Sequence, residues 1–175
     1  MAHFDEIYDI AADGYGIITA TQAREAGVTT GEMSRWCADG RLLHRGHGVY
    51  KLARWVPTPH DAFAEAVALV GDGSFLWGES VLSMHGLALV DPRAVTVATS
   101  KRVRRKLPAW VKTVLVSKSA KTTLYEGIPS QRVADAIEAC VGSVMAERLV
   151  EAAKAAKAEG FVTSDEYDKL MKELS

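Results

Sequence analysis

Residues 29–52, TTGEMSRWCADGRLLHRGHGVYKL, decide how the N-terminal part of this chain folds. Thr29 and Glu32 have the spacing of a capping box, in which a hydroxyl accepts one free N–H and a carboxylate reaches back to another. Val28 precedes the cap and Met33 sits at the fourth helical position, the two places of a hydrophobic staple. Met33, Trp36 and Cys37 lie at i, i+3 and i+4 and share a buried face, which leaves Thr30, Gly31, Ser34 and Arg35 on the open one. Gly40 closes this helix. RLLHR and GVYKL then read as strands of a tight hairpin with GHG in the connecting turn.

Outward from this stretch, Phe4, Ile7, Tyr8 and Ala11 recur at helical intervals in FDEIYDIAA, and DGYG stops that helix. GIIT is a short apolar extension. Thr19 with Gln22 forms an earlier capping box, and Gly27 ends its helix as a left-handed residue should. Pro57 and Pro59 mark a boundary, so residues 1–55 read as one unit and 56–175 as a second. In the second, HDAFAEAVALV and GESVLSMHGL read as helices, the former with Phe63, Ala66, Val67 and Val70 inward. AVTVAT, VKTVLVS and TTLYEG read as strands. PSQRVADAIEACV reads as a helix with Pro129 near its start, followed by an Ala-rich helix up to Gly160. A last helix begins at the Thr163–Glu166 capping box. The expected class is α+β: three short helices with a hairpin, then a mixed domain around a small sheet.

The bulk numbers agree with a folded chain. It has 175 residues, 48% hydrophobic and 25% charged, which are globular values. No apolar run reaches the roughly 18 residues of a membrane helix, and MAHFDEIYDI lacks the positive-then-apolar order of a signal peptide. The expected compartment is the cytoplasm, with Cys37 and Cys140 as two free thiols that match no metal spacing. Net charge is −1, yet charge is segregated. Nine Lys or Arg and no acid lie between Arg93 and Lys121; five acids and no Lys or Arg lie between Thr58 and Pro92. Such segregation makes local fields that the total conceals.

Three short helices plus a hairpin is the layout of a winged helix-turn-helix, whose second capped helix enters the DNA major groove N-terminal end first. Its free N–H groups and dipole favour phosphate, and Thr29 and Thr30 add hydroxyl donors. Ser34 shares the open face, and Arg35 stands one turn further on, within reach of a phosphate or a guanine edge. The hairpin would bring Arg41, His44, Arg45, His47 and Lys51 to the backbone or minor groove. Residues 29–54 carry five cations (Arg35, Arg41, Arg45, Lys51, Arg54) against Glu32 and Asp39, a net of +3. That excess is modest, and these residues alone leave open a protein-interaction module whose hairpin docks on another protein. Trp36 reads as core rather than as a base-stacking residue. His44 and His47 have no local acid or thiol to complete a four-ligand metal site.

The stretch GIITATQAREAGVTTGEMSRWCADGRLLHRGHGVYKL resembles the N-terminal domain of the AbiEi family of antitoxins from type IV toxin–antitoxin systems. The shared pattern is Gly16 to Thr19, Gln22-Ala23, the helix from Thr29 to Asp39, Gly40-Arg41-Leu42 and Gly48-Val49-Tyr50. In the second half, Ser80-Val81-Leu82 and His85-Gly86-Leu87 are similar to the family's Ser-Ala-Leu-x-x-His-Gly-Leu segment. The resemblance implies a winged-helix repressor of its own operon that binds promoter repeats as double-stranded DNA. It also implies a C-terminal domain that counters a nucleotidyltransferase toxin, directly or indirectly. Inverted repeats would be read by two copies, as a monomer or as a dimer formed on DNA. A stand-alone transcriptional regulator is the alternative. Glu32 departs from the family's basic or neutral residue, and its capping box is expected to hold it back from the groove. The last 30 residues match no part of the family pattern.

Lys101, Arg102, Arg104, Arg105 and Lys106 crowd into KRVRRK, with Lys112 nearby, and form a possible second basic surface for nucleic acid or an acidic partner. No cofactor and no catalysis are expected. Asp135, Glu138 and Glu151 have spacings that suit solvent, no strand carries a nuclease-like acid–x–Lys core, and neither a nucleophile elbow nor a phosphate loop is present. His85 reads as a helix-terminal residue that bonds carbonyls.

Overall fold

The computed structural model describes residues 2–175, which divide into two units: residues up to 72 with 104–107, and residues 73–103 with 108–175. The chain is α+β. In the first unit, α1 (Ala2–Asp13) leads to β1 (Ile17–Thr19), α2 (Ala20–Glu25), α3 (Thr30–Ala38), β2 (Leu42–Gly46), β3 (Val49–Leu52) and α4 (Asp61–Val70). The three strands form an antiparallel sheet in the order β1-β3-β2. This is the winged helix-turn-helix, with β2 and β3 as the wing.

Both faces of that small sheet are covered. Ile18, Leu42 and Leu52 pack with Ile7, Ala11, Ala23, Val28, Met33 and Trp36 in one core beneath α1, α2 and α3. Burial of such side chains is worth roughly 1.5–3 kcal/mol each. The other face meets α4. Phe63, expected inward, is half-buried, whereas Ala66, Leu69 and Val70 are buried with two acids, Asp61 and Glu65. The first unit therefore runs past Pro57 and Pro59 to Asp72.

The second unit contains β4 (Phe75–Leu76), α5 (Glu79–Met84), β5 (Val95–Thr99), β6 (Val111–Leu115), β7 (Thr123–Tyr125), β8 (Ile128–Ser130), α6 (Val133–Ala139), α7 (Ala146–Ala158) and α8 (Ser164–Glu173). Its sheet runs β6-β5-β4-β8-β7. β5 pairs parallel with β6 and β4 parallel with β8; the other pairs are antiparallel. Residues 100–110, which hold the basic run, cross from β5 to β6. Pro129 does not open a helix. It lies in β8 between two buried neighbours, Ile128 and Ser130, and α6 begins later, at Val133. The alternation of buried and half-buried positions is the strand period, and it overrides Pro129 as a helix-start signal. His85 ends α5, and its ring lies 3.8 Å from that of Tyr125 and 4.5 Å from that of Phe161.

Candidate nucleic-acid interface

All three capping boxes read from the sequence are formed. At α3, Thr29 N and Thr29 Oγ1 donate to Glu32 Oε2 at 2.8 and 2.9 Å, and Glu32 N donates to Thr29 Oγ1 at 3.2 Å. The second carboxylate oxygen meets His3 Nδ1 at 3.1 Å. The backbone hydrogen bond from Thr29, helped by His3 and the Thr29 hydroxyl, holds the Glu32 carboxyl down to about 2. Glu32 is thus turned back onto its own cap. At the other end Gly40, at φ +72°, lets Arg41 N reach Trp36 O at 2.9 Å, which closes the helix with a left-handed residue.

Met33 and Trp36 fix the inner face of α3, and Phe4 of α1 meets Trp36 edge-on at a centroid distance of 5.2 Å. The outer face presents Thr30, Gly31, Ser34 and Arg35, all exposed. Arg35 shares a surface recess of about 260 Å³ with His3, Phe4, Glu32, Asp39 and Arg41. Arg41 places its guanidinium carbon 5.0 Å from the Phe4 centroid, a cation–π contact that orients it.

The wing is short. β2 and β3 are joined through His47 and Gly48, with a register irregularity between His44 and Gly46. His47 is exposed at the turn, and His44 lies against Tyr50 at 5.3 Å between ring centroids. Arg45 and Lys51 are placed differently. Arg45 Nε donates to Glu65 Oε1 at 2.7 Å; Lys51 Nζ donates to Asp61 Oδ2 at 3.2 Å and stands 3.9 Å from Glu65 Oε2. Asp61 also accepts from Trp55 Nε1 at 2.9 Å and Thr58 Oγ1 at 2.6 Å. Burial acts to raise the Asp61 carboxyl, but the Thr58 and Lys51 hydrogen bonds and the Lys51 charge outweigh it and lower the group. Two of the wing's cations therefore tie the hairpin to α4.

One residue beyond the sequence reading joins the site. Arg24, in the last turn of α2, is exposed and lines a groove of about 430 Å³ with Thr29, Thr30, Met33 and Tyr50. Its signal in the sequence was only its position three residues before Gly27, beside the α3 cap.

A capped helix with exposed donors beside a hairpin is a frame shared by many DNA-binding proteins. Residues 5–53 match the model of a family described as transcriptional regulator, AbiEi antitoxin. Over this stretch the chain is similar to that family. No curated protein matches the chain. The match runs from within α1 to just past β3, so it includes α3 and the whole wing, while α4 and the second unit lie beyond it.

The residues of the second basic surface read from the sequence are divided between the two units. Arg104, Arg105 and Lys106 belong to the first unit; Lys101, Arg102 and Lys112 belong to the second. Lys112 there lines a recess of about 270 Å³ with Trp77, Glu79, Arg93 and Cys140. Burial, and then the Glu79 charge, push the Cys140 thiol up to about 12. Among the described residues no cluster of His, Cys, Asp or Glu could hold a metal ion, and no helix is long and apolar enough to cross a membrane.

Proposed function

We propose that this protein is a DNA-binding antitoxin that acts in the cytoplasm, represses its own operon and counters a nucleotidyltransferase toxin encoded beside it. The observation that carries the DNA reading is the outer face of α3: Thr30, Ser34 and Arg35 are exposed, so a guanidinium in the last turn joins hydroxyls and N–H groups at the capped N-terminal end. That end favours phosphate by charge and dipole. Arg35 is long enough to reach a guanine edge, where a bidentate bond distinguishes bases. Thr29 supports the face from behind. Arg41, His44 and His47 contact the backbone along the wing, and Arg24 extends the contact line from α2. Arg45 and Lys51 set the wing's position through their acids. Two copies meet on inverted repeats, either as monomers or as a dimer formed on DNA. The toxin-countering role belongs to the second unit, in keeping with the similarity of Ser80 to Leu87 to the family segment.

A promoter–reporter fusion in cells tests both parts. Expression of the chain is expected to silence the reporter, and Arg35→Ala to release it while still rescuing cells from the toxin. Persistent silencing by Arg35→Ala, or silencing of unrelated promoters to the same degree, contradicts the reading. Leu43 favours a second reading, because this wing side chain is 46% exposed and apolar. In that reading the hairpin docks on a protein; Leu43→Ser would then abolish toxin rescue and leave promoter silencing intact.

A further inference from the structure

The C-terminal end of α4 finishes under the turn of the wing. A Cβ placed on Gly46 would stand 2.4 Å from Leu69 Cδ2, so the Leu69 side chain lies directly against the hairpin's last β2 residue. The carbonyls of Leu69 and Val70 are among those a helix leaves without internal partners, and they form the negative end of its dipole. Left bare, they would face any phosphate that approached the wing tip.

They are not left bare. Arg105 arrives from residues 104–107, a segment far along the chain that folds with the first unit. Its Nε and Nη2 donate to Leu69 O at 3.2 and 2.8 Å, and Nη2 also donates to Val70 O at 2.5 Å. Leu69 therefore links the Arg105 guanidinium to the wing: its carbonyl takes two of the three Arg105 hydrogen bonds and its side chain packs against Gly46. On either side of this anchor, Arg104 and Lys106 are exposed, and neither forms an ion pair among the described residues.

We infer that residues 104–106 form a cationic strap beside the wing, in which Arg105 is the positioning residue and Arg104 and Lys106 bind backbone phosphates of the same DNA duplex that α3 reads. The inference rests on the proposed DNA binding and extends its footprint. The charge argument is direct. With Arg45 and Lys51 engaged by Glu65 and Asp61, the wing alone is poor in free cations. The strap supplies two and cancels the negative helix end next to them.

The test is the salt dependence of binding by the full chain to a duplex of its own promoter. Each phosphate contact adds about 0.9 to the slope of log affinity against log salt. Replacing Arg104 and Lys106 by Ala is expected to lower the slope by ~1.8, whereas Lys118→Ala with Lys121→Ala leaves it unchanged. Arg105→Met is expected to lower the slope without touching phosphate itself, and Arg105→Lys to restore part of it, with thermal melts confirming that each variant is folded. An unaltered slope in the Arg104/Lys106 variant, while Arg35→Ala weakens binding, overturns the strap and leaves the DNA reading in place. The same holds if that variant keeps its slope and loses only toxin rescue, which would assign the strap to a protein partner. An equal fall in the Lys118/Lys121 variant would show a general charge effect and also overturn it. No binding by the unaltered chain sinks both proposals.

Discussion

Glu32 sits on the helix proposed to enter the groove, where an unrestrained carboxylate would repel phosphate. Its capping box makes that position tolerable and gives it a pH signature. The folded carboxyl is lowered from an ordinary 4.5 to about 2, chiefly by the Thr29 backbone N–H. A lowered acid stabilises the fold above its unfolded value and ceases to do so as pH falls through its folded value. The stability gap between the unaltered chain and Glu32→Ala is therefore expected to be full above about pH 4.5 and to close toward pH 2, read by urea melts across that range. A gap that stays constant with pH would contradict this role. Thr29→Ala removes the other half of the box and is expected to cost about 1 kcal/mol in the same melts. Arg35→Ala is a binding change. If Arg35 reads a guanine, it weakens promoter binding by about 1–3 kcal/mol and relaxes preference at one base position. A uniform loss over unrelated sequences would place it on phosphate instead. The cap, the staple and the open face were all readable in residues 28–36, because each depends on spacing within a single helix. The pairing of Arg45 and Lys51 was not, since their acids come from a helix ten or more residues downstream whose register no local pattern fixes.

At the scale of elements, the wing and α4 are fitted to each other at one point. Gly46 is small because Leu69, itself only 2% exposed, occupies the space a side chain would need. Gly46→Ala is expected to destabilise the chain by about 1–3 kcal/mol through overpacking. Leu69→Ala alone is expected to cost about 2–5 kcal/mol through the cavity it leaves. In the double variant the new methyl enters that cavity, so the two costs should fall short of additive in a chemical denaturation cycle. Strict additivity would show that the two residues do not share the space. The sequence indicated the helix of α4 but not its partner: Asp61 and Glu65 are buried, and the wing's cations Arg45 and Lys51 account for it. β8 escaped detection for a similar reason. Three residues with a central proline carry little strand signal until β4 and β7 flank them.

For the whole molecule, Pro57 and Pro59 suggested a boundary near residue 55, whereas α4 and residues 104–107 fold with the N-terminal unit. Those prolines interrupt the chain locally, but the sheet behind them still needs a cover, and α4 provides it. A fragment of residues 1–72 is accordingly expected to melt cooperatively, whereas residues 1–55 lack the α4 layer and are expected to show no cooperative transition by circular dichroism. A cooperative melt of the shorter fragment would show that α4 is dispensable to the first unit. The charge of residues 101–106 was legible, but a run of six mostly basic residues gives no hint that its fifth member, Arg105, caps a helix 35 residues earlier.

The most direct measurement is a competition titration of the full chain between its own promoter duplex and an unrelated duplex of equal length at physiological salt. The account predicts a clear preference for the promoter that Arg35→Ala reduces or removes. Equal affinity for both duplexes, or a preference that Arg35→Ala leaves unchanged, would contradict it.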